Sequence, residues 1–333
     1  MKKILALLLV GAMAFGLAAC GSKDIDAPAA PSAGDETSAE ATYTVGICQL
    51  VQHEALDAAT QGFMDALNDE LGEGTVKFDP QNAQNDSNTC STIINNFVAA
   101  DVDLIMANAT PALQAAAAGT NEIPILGTSV TEYGVALGLD DFNGTVGGNI
   151  SGTSDLAPLD QQAQMIKDLF PDVKNIGLLY CSAEANSQYQ DQTVKAHLED
   201  MGYTCELYAF SDSNDLSSVA TTCASKSDLI YVPTDNTVAS NAGIIDNICA
   251  PEGIPVVAGE EGICAGCGVV TLSISYYDLG YGTGQMAAKI LTGEANISEM
   301  PVEYAPQFTK KYNKAKCEQL NITVPEDYVA IEQ

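Results

Sequence analysis

Val45-Gly46-Ile47, inside the strand-like run Thr44–Leu50, is answered 131 residues later by Ile176-Gly177-Leu178, inside Asn175–Tyr180. Two further landmarks hold that spacing: Asp103-Leu104-Ile105 and Asp228-Leu229-Ile230 lie 125 residues apart, and Ile123-Pro124 and Ile254-Pro255 again 131. Three matched landmarks in one order mark a duplicated half-domain.

Working outward, the first copy has strand-like runs at Thr44–Leu50, Thr75–Phe78, Leu104–Ala107 and Ile123–Leu126, and the second at Asn175–Tyr180, Thr204–Ala209, Leu229–Val232 and Pro255–Val257. Helical stripes separate them. Glu54–Leu71 places Leu56, Ala59, Phe63, Ala66 and Leu67 on one face, and Asn88–Ala100 does the same with Ile93, Ile94, Phe97 and Val98. The second copy has helices at Gln161–Phe170, Gln188–Met201, Asp215–Ala224 and Thr237–Cys249. Alternation of this kind gives parallel sheets covered on both faces. The expected fold is α/β: two similar doubly wound parallel-sheet lobes joined by a three-segment hinge. Residues 43–151 and 276–302 are assigned to lobe 1 and residues 152–275 and 303–333 to lobe 2, with crossings near Ile150–Asp155, Thr271–Ser275 and Met300–Glu303.

The first nineteen residues read as a lipoprotein signal peptide: Lys2 and Lys3, the apolar run Ile4–Leu17, then Ala18 and Ala19 before Cys20. The run is too short to span a bilayer. Leu17-Ala18-Ala19-Cys20 is a lipobox, which makes Cys20 the lipidated residue of a protein held outside the cytoplasm. Residues 20–42, poor in large apolar side chains, are expected from their composition to be a disordered tether. The chain carries 13 basic and 44 acidic residues, a net charge of −31, which excludes nucleic acid as a partner. Arginine is absent, so an anionic ligand group must be held by backbone N–H, hydroxyl or Lys.

Nine cysteines follow Cys20, an odd number, most of them in apolar stretches where a thiol acts as a small hydrophobe. Cys264-Ala-Gly-Cys267 has the spacing of a redox or zinc half-site. Without a second such pair, and with only two histidines, it reads as a short disulfide or two free thiols; no metal and no cofactor is expected. Gly280-Tyr281-Gly282-Thr283-Gly284 lacks the spacing of a phosphate loop. No nucleophile motif or paired metal-ligand spacing is present, so the chain is not read as an enzyme.

Ligands of doubly wound sheets sit at the carboxyl ends of the strands. The candidate binding residues are therefore Gln49 and His53 after the first strand, Asn108, Ala109 and Thr110 after the third, and Thr128 and Ser129 after the fourth. From the second copy come Glu184, Asn186 and Ser187, then Thr234, Asp235 and Asn236, then Glu260. A ligand carboxylate suits the helix N-terminus at Thr110-Pro111, and Asp235 would then take a ligand ammonium. Tyr43, Tyr133, Tyr189 and Tyr276 are available to stack on an aromatic ligand.

Several of these segments carry a resemblance: Val45-Gly46-Ile47-Cys48-Gln49 with His53, Ala109-Thr110-Pro111-Ala112, Ser151-Gly152-Thr153-Ser154-Asp155, Ser182-Ala183-Glu184-Ala185-Asn186-Ser187, Tyr231-Val232-Pro233-Thr234-Asp235-Asn236-Thr237-Val238 and Gly259-Glu260-Glu261-Gly262. From Tyr43 to about Tyr328 the chain resembles the ABC transporter substrate-binding proteins of the tryptophan/tyrosine type. It departs from them at Gln52-His53-Glu54, where the family often reads Glu-His-Pro, and at Asn108, where it has a small residue or Ile. The resemblance implies the type I periplasmic-binding-protein fold and an extracytoplasmic solute-binding lipoprotein of an ABC importer. Its implied partners are a small amino-acid-like ligand, an aromatic amino acid among the candidates, and the permease and ATPase subunits. The protein is expected to be monomeric and to meet the membrane through its lipid only. The alternative is a ligand-binding sensor lipoprotein that signals through a membrane receptor.

Overall fold

The structure, a computed structural model, describes residues 42–332. The expected signal peptide, Cys20 and all but the last residue of the tether lie outside the described residues. The first lobe is built from β1 (Tyr43–Gln49), α1 (Glu54–Leu71), β2 (Val76–Asn82), α2 (Ser87–Ala99), β3 (Leu104–Asn108), α3 (Thr110–Gly119), β4 (Ile125–Val130), α4 (Tyr133–Leu137) and β5 (Ile150–Ser154). The second contains α5 (Leu159–Leu169), β6 (Asn175–Cys181), α6 (Ala185–Asp200), β7 (Thr204–Phe210), α7 (Ser213–Ala224), β8 (Leu229–Val232), α8 (Asn236–Ala239), α9 (Ala242–Glu252), β9 (Val256–Ala258), α10 (Glu261–Gly266) and β10 (Val270–Ser273). The chain then returns to lobe 1 as α11 (Tyr276–Leu291) and β11 (Glu303–Tyr304), and ends on lobe 2 as β12 (Thr309–Tyr312), α12 (Lys314–Gln319) and β13 (Val329–Ala330). No helix among the described residues is long and apolar enough to cross a membrane.

One sheet has the order β11-β5-β4-β3-β1-β2 and is parallel throughout; the other runs β13-β12-β10-β9-β8-β6-β7, with only β10 and β12 antiparallel. The two orders superimpose when β1 is matched to β6 and β3 to β8. The duplicated landmarks do the same work in both lobes. Asp103 accepts from the Thr44 N–H at 2.7 Å, and Asp228 from the Asn175 N–H at 2.8 Å, each tying the foot of the third strand to the first. Gly46 and Gly177 are needed because a ring or thiol lies over them: an added Cβ would stand 2.6 Å from Phe97 and 2.3 Å from Cys223.

The first sheet keeps the chain through Ser154 and regains Glu303–Tyr304, which pair with Thr153 and Ser154. Lobe 1 therefore reaches a few residues past the limits at 151 and 302, because backbone pairing and not polarity ends a strand. The chain crosses between lobes after Ser154, between β10 and α11, and between β11 and β12. β4 also runs past Leu126 to Val130, its polar end still paired to β3 through Asn108 and Thr128. The single helix expected over Thr237–Cys249 is broken, since Ser240 Oγ and Asn241 Nδ2 donate to the Asn236 and Thr237 carbonyls and compete with the helical ladder.

Aliphatic clusters fill both faces of each sheet. All nine cysteines of the described residues are buried free thiols, Cys264 and Cys267 included. The glycine run at 280–284 lies inside α11, where Gly280 and Gly284 admit the backbone of α1: an added Cβ would stand 1.9 Å from the Ala59 carbonyl oxygen and 2.5 Å from that of Phe63.

Candidate functional site

The strand ends of the two sheets face each other, and the lobes touch. His53 Nε2 lies 3.2 Å from Asn236 Oδ1, Asn85 Nδ2 donates to Thr237 Oγ1 at 2.9 Å, and the hydroxyls of Thr131 and Thr234 are 3.4 Å apart. Between them is a narrow cavity of about 10 Å3, the room of a single water, so a larger ligand is admitted only as the lobes part. Seven of the fourteen candidate residues line it: His53, Ser129, Asn186, Thr234, Asp235, Asn236 and Glu260.

In lobe 1, a register shift between Gly127 and Val130 interrupts the pairing of β4 with β5. Ser129 sits in that bulge with a left-handed φ of 54°, its hydroxyl buried and without a partner; bulges re-aim side chains in this way. Gln49 does not reach the cavity, because its amide is held by Val51 O, Asp57 and Thr60. Thr128 is tied to Thr153, and Asn108 donates to Leu56 O and Thr60. The departure at Asn108 therefore fastens β3 to α1. Ala109 begins α3 with φ 91° and no side-chain cap, and the buried Thr110 hydroxyl has no partner.

In lobe 2, Glu184 stands behind the cavity wall. It accepts from the Asn236 N–H and Nδ2 at 3.0 and 2.6 Å, and from the Thr237 N–H and Oγ1 at 2.9 and 2.8 Å. It thereby fixes the start of α8, whose Asn236 and Thr237 meet lobe 1. Asp235 caps the same short helix: Oδ1 accepts from the Val238 N–H at 2.9 Å and Oδ2 from the Cys181 N–H at 2.7 Å. Burial, reinforced by Glu184, pushes its pKa up to about 8. Glu260 caps α10 through the Gly262 and Ile263 N–H groups, and burial raises it to about 7. Asn186 donates to Thr234 O at 2.9 Å and to the buried Ser187 hydroxyl at 3.3 Å, leaving its own Oδ1 without a partner. Burial lowers the pKa of His53.

The cavity is also lined by Leu56, Thr131, Asp155, Ala239 and Tyr276, which inspection of the strand ends in sequence did not single out as binding residues, apart from Tyr276 as an aromatic. Asp155 follows a strand, β5, that carries little apolar signal. Of the other tyrosines, Tyr133 is buried with its hydroxyl on Thr153 O, and Tyr43 and Tyr189 pack against the cores.

Two parallel-sheet α/β lobes closed on a buried polar cavity define a protein of the type I periplasmic-binding-protein architecture. The chain belongs to the ABC transporter substrate binding protein family, whose model matches residues 44–332, and proteins of this family bind solutes and are not enzymes. A tyrosine-binding protein of Clostridioides difficile (strain R20291) is 35% identical over 303 residues, which covers 90% of this chain and 87% of that one. The structure of an ABC domain in complex with L-Trp from Streptococcus pneumonia is 34% identical, with a TM-score of 0.82 over 86% of this chain and 97% of that one. A ligand-free, open substrate binding protein with adhesive properties from Clostridium difficile is 36% identical, and there the TM-score is 0.66 over 87% of this chain and 100% of that one.

Proposed function

We propose that this protein is the extracytoplasmic solute-binding lipoprotein of an ABC importer and captures an α-amino acid, with aromatic side chains as the first candidates, between its lobes. The observation that carries the reading is the interlobe cavity, whose walls hold three buried polar atoms without partners: Ser129 Oγ from lobe 1, Asp155 Oδ1 from the first crossing segment and Asn186 Oδ1 from lobe 2. Buried polar groups are almost always paired, so such a set is suited to a polar ligand that completes it. With no arginine in the chain, the carboxylate is assigned to the unpartnered Ser129 hydroxyl in the cavity wall.

Contacts from both lobes favour a closed ligand-bound form. At nearly equal identity, the fit is better to the L-Trp complex than to the ligand-free open relative, which supports closure as the binding motion. The aromatic preference rests on those relatives and on Tyr276 in the wall. Capture outside the cytoplasm, and delivery to a permease driven by an ATPase, follow from the family; the anchor at Cys20 rests on the lipobox. The test is a thermal-shift screen of the purified protein against the twenty amino acids, nucleosides, sugars and short peptides. A ligand that binds only the folded state raises the midpoint. A rise with sugars or nucleosides and with no amino acid would overturn the ligand class.

A further inference from the structure

Three carboxyl groups line the cavity, Asp155, Asp235 and Glu260, and no lysine does. They differ in how many of their oxygens are already engaged. Both oxygens of Asp235 and both of Glu260 accept backbone N–H bonds that cap α8 and α10 or hold β6. Asp155 is different. Its Oδ2 accepts from the Tyr276 hydroxyl at 2.9 Å, while its Oδ1 is buried without a partner, in a side chain only 5% exposed.

We propose that Asp155, and not Asp235, receives the ammonium group of the ligand. The assignment rests on the amino-acid reading of the cleft given above. Ser129 and Asp155 stand at the ends of the neighbouring strands β4 and β5. Adjacent strands lie about 5 Å apart, a spacing that one α-amino-acid head group bridges with its carboxylate on the hydroxyl side and its ammonium on the carboxylate side. An uncompensated buried carboxylate is costly, and a cation beside Oδ1 removes that cost. Burial raises the Asp155 pKa, the direction that a neighbouring cation would reverse.

The position also links charge to motion. Asp155 is the first residue after β5, where the chain first leaves lobe 1, and Tyr276 is the first residue of α11, where it returns. The Tyr276–Asp155 hydrogen bond joins these two crossing segments, so the ligand's positive charge sits against the hinge while its other contacts come from the lobe edges.

The experiment compares amino acids with their desamino analogues. Calorimetric affinities of L-tyrosine and L-tryptophan are measured beside 3-(4-hydroxyphenyl)propionate and 3-(indol-3-yl)propionate, on the wild type and on Asp155→Asn. The wild type is expected to prefer the amino acid by about 30-fold or more, the scale of a buried charge pair, and Asp155→Asn to lose most of that preference. Equal wild-type affinity for the two kinds of ligand overturns the assignment even if the variant does not fold. So does an Asp155→Asn protein that keeps the full preference. A wild type that binds no amino acid at all sinks the amino-acid reading of the cleft, which is a separate failure.

Discussion

His53 of lobe 1 meets Asn236 of lobe 2 through Nε2 and Oδ1 at 3.2 Å, and the Nδ2 of the same Asn236 donates to Glu184 at 2.6 Å. The bridge between the lobes is therefore held from behind by a carboxylate that does not line the cavity. Asn85 and Thr237 repeat the arrangement, since Thr237 Oγ1 donates to the other oxygen of Glu184 while accepting from Asn85. Glu184→Ala leaves four donors of Asn236 and Thr237 without an acceptor. Unfolding free energy in urea is expected to fall by about 3 kcal/mol, and ligand affinity by at least about tenfold, because both bridges lose their support. Wild-type values for both quantities would show that Glu184 is a bystander.

The glycines of α11 give a paired prediction. Gly280 lies against α1, with an added Cβ 1.9 Å from a backbone oxygen, whereas Gly282, two residues on, has nothing within 4 Å. Gly280→Ala must push α11 from α1 and is expected to cost about 2 kcal/mol or more. Gly282→Ala gains helix propensity at an open position and should stabilise by about 0.5 to 1 kcal/mol. Equal effects of the two substitutions on the urea midpoint would contradict this packing.

The architecture was legible because it is written twice: Gly46 and Gly177, Asp103 and Asp228, and the two Ile-Pro pairs recur with the same structural duties. The site was legible only to the resolution of a strand end. Gln49 and Ser129 both follow strands and both look polar and available, yet Gln49 is fastened by three partners of its own lobe and Ser129 by none. Asp235 and Asp155 differ for the same reason. Which acidic side chain caps a helix and which keeps an oxygen free depends on backbone N–H groups brought together by folding, and residue type does not record it. β5 was hidden because Ser151, Gly152 and Ser154 leave Ile150 and Thr153 without an apolar run around them, although all five residues are buried.

The anchor can be tested without reference to the ligand. Cys20→Ala removes the thiol that would carry the diacylglycerol, while the preceding apolar run is too short to hold the protein in a bilayer. Labelled fatty acid should enter the wild-type protein and not the variant. Labelling of the variant to the wild-type extent would remove Cys20 as the attachment site.

Stability should fall as pH rises through neutrality, the reverse of what ordinary surface carboxylates produce. Asp235, at about 8, and Glu260, at about 7, hold protons in the folded ligand-free protein that the unfolded chain releases near pH 4. Asp191 acts in the same sense: it is fully buried, neither of its oxygens has a hydrogen-bond partner, and burial raises it well above the usual carboxylate range. A raised acid contributes stability that is fully present below its unfolded pKa and is lost as pH climbs through the folded one. His53 has the opposite sign: its lowered pKa contributes stability that is lost as pH falls through about 6.5. Carboxylates held below their usual range, such as Asp228, matter only under about pH 4, and the Cys90 thiol, lowered by its hydrogen bond with Cys48, opposes the fall only toward the alkaline end. The clean window is therefore above the histidine range. Between about pH 6.5 and 8.5 Asp235 and Glu260 together take away about 2 to 3 kcal/mol, and the melting midpoint of the ligand-free protein should drop by several degrees. Glu260→Gln, which removes one of the titrating groups, should give a shallower slope whatever it does to absolute stability. A midpoint that stays level or rises across that window would mean that these carboxyl groups are ionised in the folded protein.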